Sequence, residues 1–366
     1  MLDILEEKVD RWLLISSFFL LILGFLTLTS ASIYVSEKNY GFGFYYSLRQ
    51  IVFGFLPGIT LGLILYKVDF SKLKKWSFFL LLLNILFLVL VFVPKIGLER
   101  GGARRWINLK YFTFQPSEYL KLIFILYLSS WLESRLLKKK EGTLTFFAFL
   151  FLLGAISLLL ILQPDFSTLL IIWTISLSVY FLLDTPLWHI VLLAVILFLV
   201  GTFLLVLAPY RLQRILAFLN PESDPLGMSY QLKQGIIAIG AGRIFGSGIG
   251  LSKQKLGILP QSITDAIFPI FAEEWGFVGC VLLFYLYLIF FWRGIKIGRE
   301  QKNIFAKSIA FGISVWIISQ TILNIGGMLK LLPLAGVPLP FISYGGSALS
   351  IEIGAIGLLL KISKTK

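Results

Sequence analysis

Cysteine and histidine are nearly absent from this sequence, which holds one of each, Cys280 and His189, among 366 residues. A single cysteine excludes a disulfide within the chain. One thiol and one imidazole also fall short of the four ligands that a structural zinc site uses. The fold must therefore be stabilised without either kind of cross-link.

Charged residues are also scarce, at 14% of the chain, whereas soluble globular domains carry about 25%. Hydrophobic residues make up 58%, and the mean hydropathy is +0.89. This balance excludes an ordinary soluble domain and indicates a protein that crosses a membrane several times.

Long uncharged runs recur along the whole chain, and a membrane-spanning helix needs about 20 apolar residues. The runs are 12–34, 51–66, 76–94, 143–164, 166–183, 185–210, 275–292, 308–329 and 331–351. A further helix is predicted over 116–132, although it carries Glu118 and Lys121. We therefore expect an all-α polytopic membrane protein with about ten spans, forming a single membrane domain over residues 1–366.

Lysine and arginine accumulate in loops that about ten spans would place on one side, at 67–75, 135–140, 293–302 and 361–366. Cytoplasmic loops are the ones enriched in these residues, so both termini are predicted to be cytoplasmic. Two loops on the opposite, extracytoplasmic side, 95–115 and 211–265, are nevertheless also basic. Contact with anionic lipid head groups is one interpretation, and a site for an anionic ligand such as pyrophosphate is the other. Nucleic acid is not expected, because the basic residues flank spans and no soluble domain surrounds them.

Three polar groupings are predicted at membrane depth. Glu118 and Lys121 lie three residues apart on one helix face, as a structural pair or as part of an interior cavity. Asp165 follows a helix-breaking proline, where it can cap the next helix or bind a cation or substrate. The stretch 332–350 contains three prolines as well as Ser343, and non-helical backbone at this depth is tolerated when it lines a cavity or is buried in protein.

Ten short motifs occur in one order from about residue 13 to 362, nearly the whole chain. They are GARRWI, QPSE-x-x-K, QPDF, YRLQRILAFLNP, DPLGMSYQLKQ, S-x-QK, LP-x-x-x-TD, AEE-x-GFVG, NIGGMLKLLP and PLPFISYGGSA. Together they resemble the SEDS family (shape, elongation, division and sporulation), whose members include FtsW and RodA. The resemblance implies a SEDS-type fold of ten helices in the bacterial cytoplasmic membrane. It also implies a peptidoglycan glycosyltransferase that polymerises lipid II on the outer face of that membrane.

The family's essential aspartate corresponds to Asp265. The usual pattern around it is E-x-HTDF, whereas residues 261–266 here read QSITDA, so the Glu, His and Phe are absent. Glycosyl transfer needs a base for a sugar hydroxyl and stabilisation of the departing pyrophosphate. Asp265 is the candidate base. The candidate substrate-binding residues are Arg104, Arg105, Trp106, Gln115, Ser117, Glu118, Lys121, Asp165, Arg211, Arg214, Tyr230, Gln234, Lys255 and Ser343.

Among these residues, the arginines and Lys255 are the candidates for holding pyrophosphate, and a divalent cation, Mg or Mn, would suit the same role as a cofactor. The expected partners are lipid II, undecaprenyl-linked glycan, membrane lipids and a class B penicillin-binding protein. The motifs mix FtsW and RodA features and lean towards the division type. Two alternatives remain open: a flippase or transporter of lipid-linked precursor, coupled through Glu118, Asp165 or Glu352, and a non-catalytic scaffold of cell-wall assembly.

Overall fold

The computed structural model describes residues 9–100, 102–137, 142–182, 188–189, 191–196, 201, 218 and 227–365. Helices dominate these residues, which confirms the predicted all-α membrane fold. The α-helices are α1 Arg11–Tyr40, α2 Tyr45–Gln50, α3 Leu56–Lys67, α4 Phe70–Leu90, α5 Pro116–Leu137, α6 Gly142–Leu162, α7 Phe166–Phe181, α8 Met228–Ala241, α9 Ile267–Glu300, α10 Ile304–Met328 and α11 Gly346–Lys364. A π-helical turn, Ile51–Phe55, joins α2 to α3.

Seven helices in the described part of the chain are long and apolar enough to cross a membrane, counting α2 to α3 as one. Two more, α5 with its internal charges and α7 with 16 residues, belong to the same bundle through their contacts with α10. The predicted run 185–210 lies largely outside the described residues. The count of about ten spans therefore stays a prediction.

The start of α1 and the end of α11 lie at the same end of the bundle. The carboxylate of Asp10, just before α1, forms an ion pair with Arg293 of α9, and its backbone amide donates to the Ser363 hydroxyl of α11 at 3.1 Å. Lys361 donates to the carbonyl of Val68, between α3 and α4. This arrangement agrees with the predicted location of both termini on one side of the membrane.

The basic loop 95–115 folds into a small antiparallel sheet, which the search for apolar runs missed. Its strands are β1 Gly97–Arg100, β2 Ala103–Asn108 and β3 Thr113–Phe114, in the order β1-β2-β3. In β2, Ala103 and Ile107 are buried while Arg104 is exposed. The strands are too short and too charged to give a hydropathy signal, yet they fix the direction in which each arginine points.

The last two predicted spans have different bounds in the structure. The run 331–351 is not a helix over most of its length, because residues 332–345, the proline segment, are largely non-helical and α11 begins only at Gly346. The run 275–292 is part of a longer helix, α9, which kinks at Gly276 with φ 65°. The early start of α9 brings its first residue to within two positions of Asp265.

Helices α10 and α11 form the centre of the bundle, and most residues of their apolar stretches are buried inside the protein, 61% in α10 and 78% in α11. The outer helices α3 and α4 instead show a large apolar surface, as expected of helices that face lipid. Trp316 of α10 is fully buried. The proline segment packs against α10 in this enclosed region, since Gln320 and Asn324 donate to its backbone carbonyls.

Candidate active site

A cavity of about 920 Å³ lies between α2, the small sheet, α5, the α6–α7 break, the Asp265 loop and the proline segment. Aromatic side chains form much of its wall. Six residues predicted from the sequence line it: Arg105, Trp106, Gln115, Glu118, Asp165 and Asp265. The structure thus brings together six predicted residues that span 160 positions of the chain, from Arg105 to Asp265.

Asp265 lies on a tight loop directly before α9, and its side chain is half-buried at the cavity wall. Within the loop, the carbonyl of Gln261 accepts from the amides of Thr264 at 3.0 Å and Ala266 at 3.1 Å. Gln261 has φ +55°, an uncommon conformation for a residue with a side chain. The chain around Asp265 is therefore folded into one specific turn, despite the departures from the family pattern.

Arg105 connects the sheet to the break between α6 and α7. Its Nε donates to the carbonyl of Gln163 at 3.3 Å, and its Nη2 donates to the carbonyl of Pro164. These two carbonyls belong to the turn between the end of α6 at Leu162 and the start of α7 at Phe166. A guanidinium carries five N–H donors, so Arg105 can hold this break and still bind an anion in the cavity.

Asp165 caps α7, as one of the two sequence interpretations predicted. Its carboxylate accepts from the Thr168 amide at 3.4 Å and from the Ser117 hydroxyl at 2.9 Å. Ser117 is fully buried and does not line the cavity. Its contact with Asp165 instead joins the start of α5 to the start of α7. Both residues thereby shape the cavity wall.

Glu118 and Lys121 form the predicted ion pair, with Lys121 Nζ 2.7 Å from Glu118 Oε2 and both side chains buried. The ammonium also donates to Gln320 Oε1 of α10 at 2.8 Å. Gln320 Oε1 accepts in addition from Trp316 Nε1 at 2.8 Å. The ammonium is thus hydrogen-bonded both to Glu118 and to α10, as a buried charge requires, and it is the Glu118 end of the pair that lines the cavity.

Several predicted substrate-binding residues lie elsewhere. Arg104 points away from the cavity and pairs with Glu99 at 3.1 Å on the exposed face of the sheet. Lys255 is buried beneath its loop, where its ammonium binds Glu274 Oε1 at 3.0 Å, the Ser30 hydroxyl at 2.8 Å and the Gly250 carbonyl at 2.7 Å. This geometry gives Lys255 a structural role, because three acceptors already surround its charge.

The remaining predicted residues fall into two groups. Tyr230 and Gln234 are half-buried on α8 and do not line the cavity, while Ser343 is buried and donates to the Thr264 carbonyl at 2.6 Å. Arg211 and Arg214 lie outside the described residues.

The sequence analysis missed Arg49, which lines the cavity from α2. Its Nη1 donates to the Tyr45 hydroxyl at 2.8 Å, and its Nη2 donates to the Tyr111 carbonyl at 2.7 Å. Its guanidinium also lies 5.4 Å from the centre of the Phe53 ring. The only sequence signal was one arginine two positions before the apolar run 51–66.

Known proteins resemble this chain over nearly its whole length. The model of a family described as cell cycle protein, FTSW_RODA_SPOVE, matches residues 11–366. A protein of Coxiella burnetii named "Probable peptidoglycan glycosyltransferase FtsW" is 40% identical over 362 residues, which cover 97% of this chain and 96% of that protein.

Two solved structures share the fold. One describes the structural coordination of polymerization and crosslinking by a peptidoglycan synthase complex, with TM-score 0.76, 28% identity and coverage of 97% of this chain and 98% of that one. The other is the rod shape determining protein RodA of Thermus thermophilus, with TM-score 0.71, 27% identity and coverage of 97% of both chains.

Proposed function

The chain belongs to the FtsW/RodA/SpoVE family of cell cycle proteins, and we propose that it is a peptidoglycan glycosyltransferase of the bacterial cytoplasmic membrane. It polymerises lipid II into glycan strands at the outer face of that membrane. The relative from Coxiella burnetii is named for the same activity. The observation that supports this proposal most strongly is the cavity, because Asp265 and the two cations Arg49 and Arg105 all line it.

The cavity supplies the two functions that the reaction needs. Asp265 takes the proton from the attacking sugar hydroxyl while a new C–O bond forms at the anomeric carbon of the second substrate. The bond from that carbon to the pyrophosphate breaks, and the leaving group departs with its negative charge. Arg49 and Arg105 are the described cations of the cavity lining that can bind it, because guanidinium groups match phosphate oxygens in geometry. An inverting transfer needs one base, so Glu118 and Asp165 remain free for their structural contacts.

A divalent cation fits this site only when it is shared with the substrate. Among the described residues there is no group of three or more His, Cys, Asp or Glu side chains that could hold a metal ion. Asp165 already binds Ser117, and Glu118 binds Lys121. Magnesium is often bound by one or two carboxylates together with substrate phosphates. Asp265 would provide the protein ligand, and the cation would neutralise charge on the pyrophosphate.

Two finer proposals concern the cellular process that the protein serves and the protein with which it works. The 40% identity to a protein named FtsW, against 27% to a solved RodA, supports a role in division. The likeness to the peptidoglycan synthase complex supports a class B penicillin-binding protein as the crosslinking partner.

A flippase or transporter is less well supported by the contacts. Coupling through Glu118, Asp165 or Glu352 requires carboxylates that can change their state. Glu118 is paired with Lys121, Asp165 caps a helix, and Glu352 accepts from the Phe341 amide at 2.8 Å. All three contacts stabilise one conformation of the bundle.

The direct test is an assay of the purified protein with lipid II, alone and with a candidate class B penicillin-binding protein. Glycan strands should form and lengthen with time. Movement of lipid II across a vesicle membrane without any glycan product would instead support the transporter.

A further inference from the structure

Three consecutive backbone carbonyls fix the Asp265 loop from outside. The carbonyl oxygens of residues 263–265 accept, in chain order, from the Tyr344 amide at 2.8 Å, the Ser343 hydroxyl at 2.6 Å and the Asn324 side-chain amide at 2.8 Å. Two of these donors belong to the proline segment, and the third belongs to α10. The loop is therefore attached to the centre of the bundle and not only to α9, which follows it.

Unlike the other two donors, Asn324 lies outside the proline segment. Its side chain binds the Asp265 loop and the proline segment at the same time. Its Nδ2 donates to the carbonyl of Asp265 at 2.8 Å and to the carbonyl of Val337 at 2.7 Å. The side chain is 4% exposed. A primary amide has two N–H donors, and here both are used to hold two loops against each other.

Helix α10, which carries Asn324, is held in place by further hydrogen bonds. One turn before Asn324, Gln320 Nε2 donates to the carbonyl of Pro338 at 2.9 Å. Helix α10 thus binds two successive carbonyls of the proline segment, at Val337 and Pro338, and is itself anchored through the buried Glu118–Lys121 pair. The position of Asp265 is thereby fixed relative to α10, one of the two helices at the centre of the bundle.

We propose that Asn324 is a positioning residue for Asp265. This inference rests on the proposed function, in which Asp265 is the base. A base acts only within hydrogen-bond reach of the proton it removes, and a misplacement of about 1 Å can cost about 100-fold in rate. Only two side-chain torsions separate the Asp265 carboxylate from its backbone, so a shift of the loop moves the carboxylate with it. Asn324 prevents that shift by holding the carbonyl of Asp265 itself.

The test compares Asn324→Ala with Asn84→Ala in purified protein. Asn84 is a matched control, because its buried Nδ2 donates to a backbone carbonyl, that of Pro116, at 3.1 Å. Both asparagines also leave their Oδ1 buried without a hydrogen-bond partner in the described residues. Thermal unfolding is measured for each variant, and lipid II polymerisation is measured over a range of substrate concentrations.

Asn324→Ala should lower kcat by about 10- to 100-fold while KM changes little, because the cations that bind pyrophosphate are not disturbed. Asn84→Ala should lose comparable thermal stability and keep its kcat. The gentler variants Asn324→Ser and Ser343→Ala should show the same selective loss of kcat to a smaller degree.

Three results would overturn the inference. The first is an unchanged kcat in folded Asn324→Ala. The second is an equal loss of kcat in Asn84→Ala. The third is recovery of the Asn324 variants only as unfolded protein while Asn84→Ala folds, which would make the contact purely structural. Wild-type protein that forms no glycan at all would contradict the proposed function itself, and the two failures are thus told apart.

Discussion

Removal of one partner from the Glu118–Lys121 pair should destabilise the protein strongly. Lys121 is 1% exposed, and in Glu118→Ala its ammonium would keep the Gln320 acceptor at 2.8 Å and the Trp316 ring at 5.1 Å. Neither of these neighbours carries a negative charge. Breaking a buried pair in this way costs about 3–5 kcal/mol, whereas replacing both partners with apolar groups of similar volume is often neutral. Glu118→Ala should therefore be less stable than the double variant Glu118→Leu with Lys121→Met.

The chain offers a matched control in Lys74 and Glu133, which also form a Lys–Glu pair at 2.7 Å but with side chains 29% and 13% exposed. Partial solvation should reduce the cost of Glu133→Ala to about 1 kcal/mol or less. The free energy of unfolding is measured for all variants in the same detergent or nanodisc. Equal and mild effects of Glu118→Ala and Glu133→Ala would mean that water reaches the inner pair and that its burial does not destabilise an unpaired Lys121.

Three further predictions concern the cavity, the kink and the topology. Arg105→Ala should weaken lipid II binding while Arg104→Ala should not, because only Arg105 lines the cavity; equal effects in a binding titration would contradict this geometry. Gly276→Ala should sharply lower the yield of folded protein, since an added Cβ would lie 2.2 Å from a backbone nitrogen and the residue has φ +65°, and normal yield and Tm would disprove that requirement. Single cysteines at Lys253 and Lys302 in a Cys280→Ser background should react with impermeant reagents from opposite faces of the membrane, and labelling from one face would overturn the predicted topology.

The helical membrane architecture could be predicted from the sequence, because bilayer thickness and helix rise set the length of each apolar run. The Glu118–Lys121 pair was also predicted, and a helix cap was one of the two interpretations given for Asp165, since both contacts depend on residues that are close in the chain. Long-range contacts left no comparable signal. The orientation of Arg104 away from the cavity depends on a short sheet, and the contact of Asn324 with Asp265 joins residues 59 positions apart.

Lys255 is a residue whose predicted role was changed by a contact that the sequence does not reveal. A lysine in a basic extracytoplasmic loop suggested an anion site, yet its charge is met by Glu274, which lies 19 positions later in the chain. Counting the charged residues of the loop does not show that Lys255 is paired with Glu274 in the fold. Arg49 was overlooked for the related reason that only the folded bundle shows which helix face lines the cavity.

The substitution Asp265→Asn shows whether Asp265 is the base of a lipid II polymerase. This change keeps the size of the side chain and removes its charge, and a general base contributes about 100- to 10,000-fold in rate. Asp69→Asn serves as the control, because Asp69 is an exposed residue at the start of α4 and does not line the cavity. We predict that purified Asp265→Asn keeps its Tm and loses glycan polymerisation while Asp69→Asn keeps both. Polymerisation by Asp265→Asn at a rate comparable to that of the wild type would contradict it.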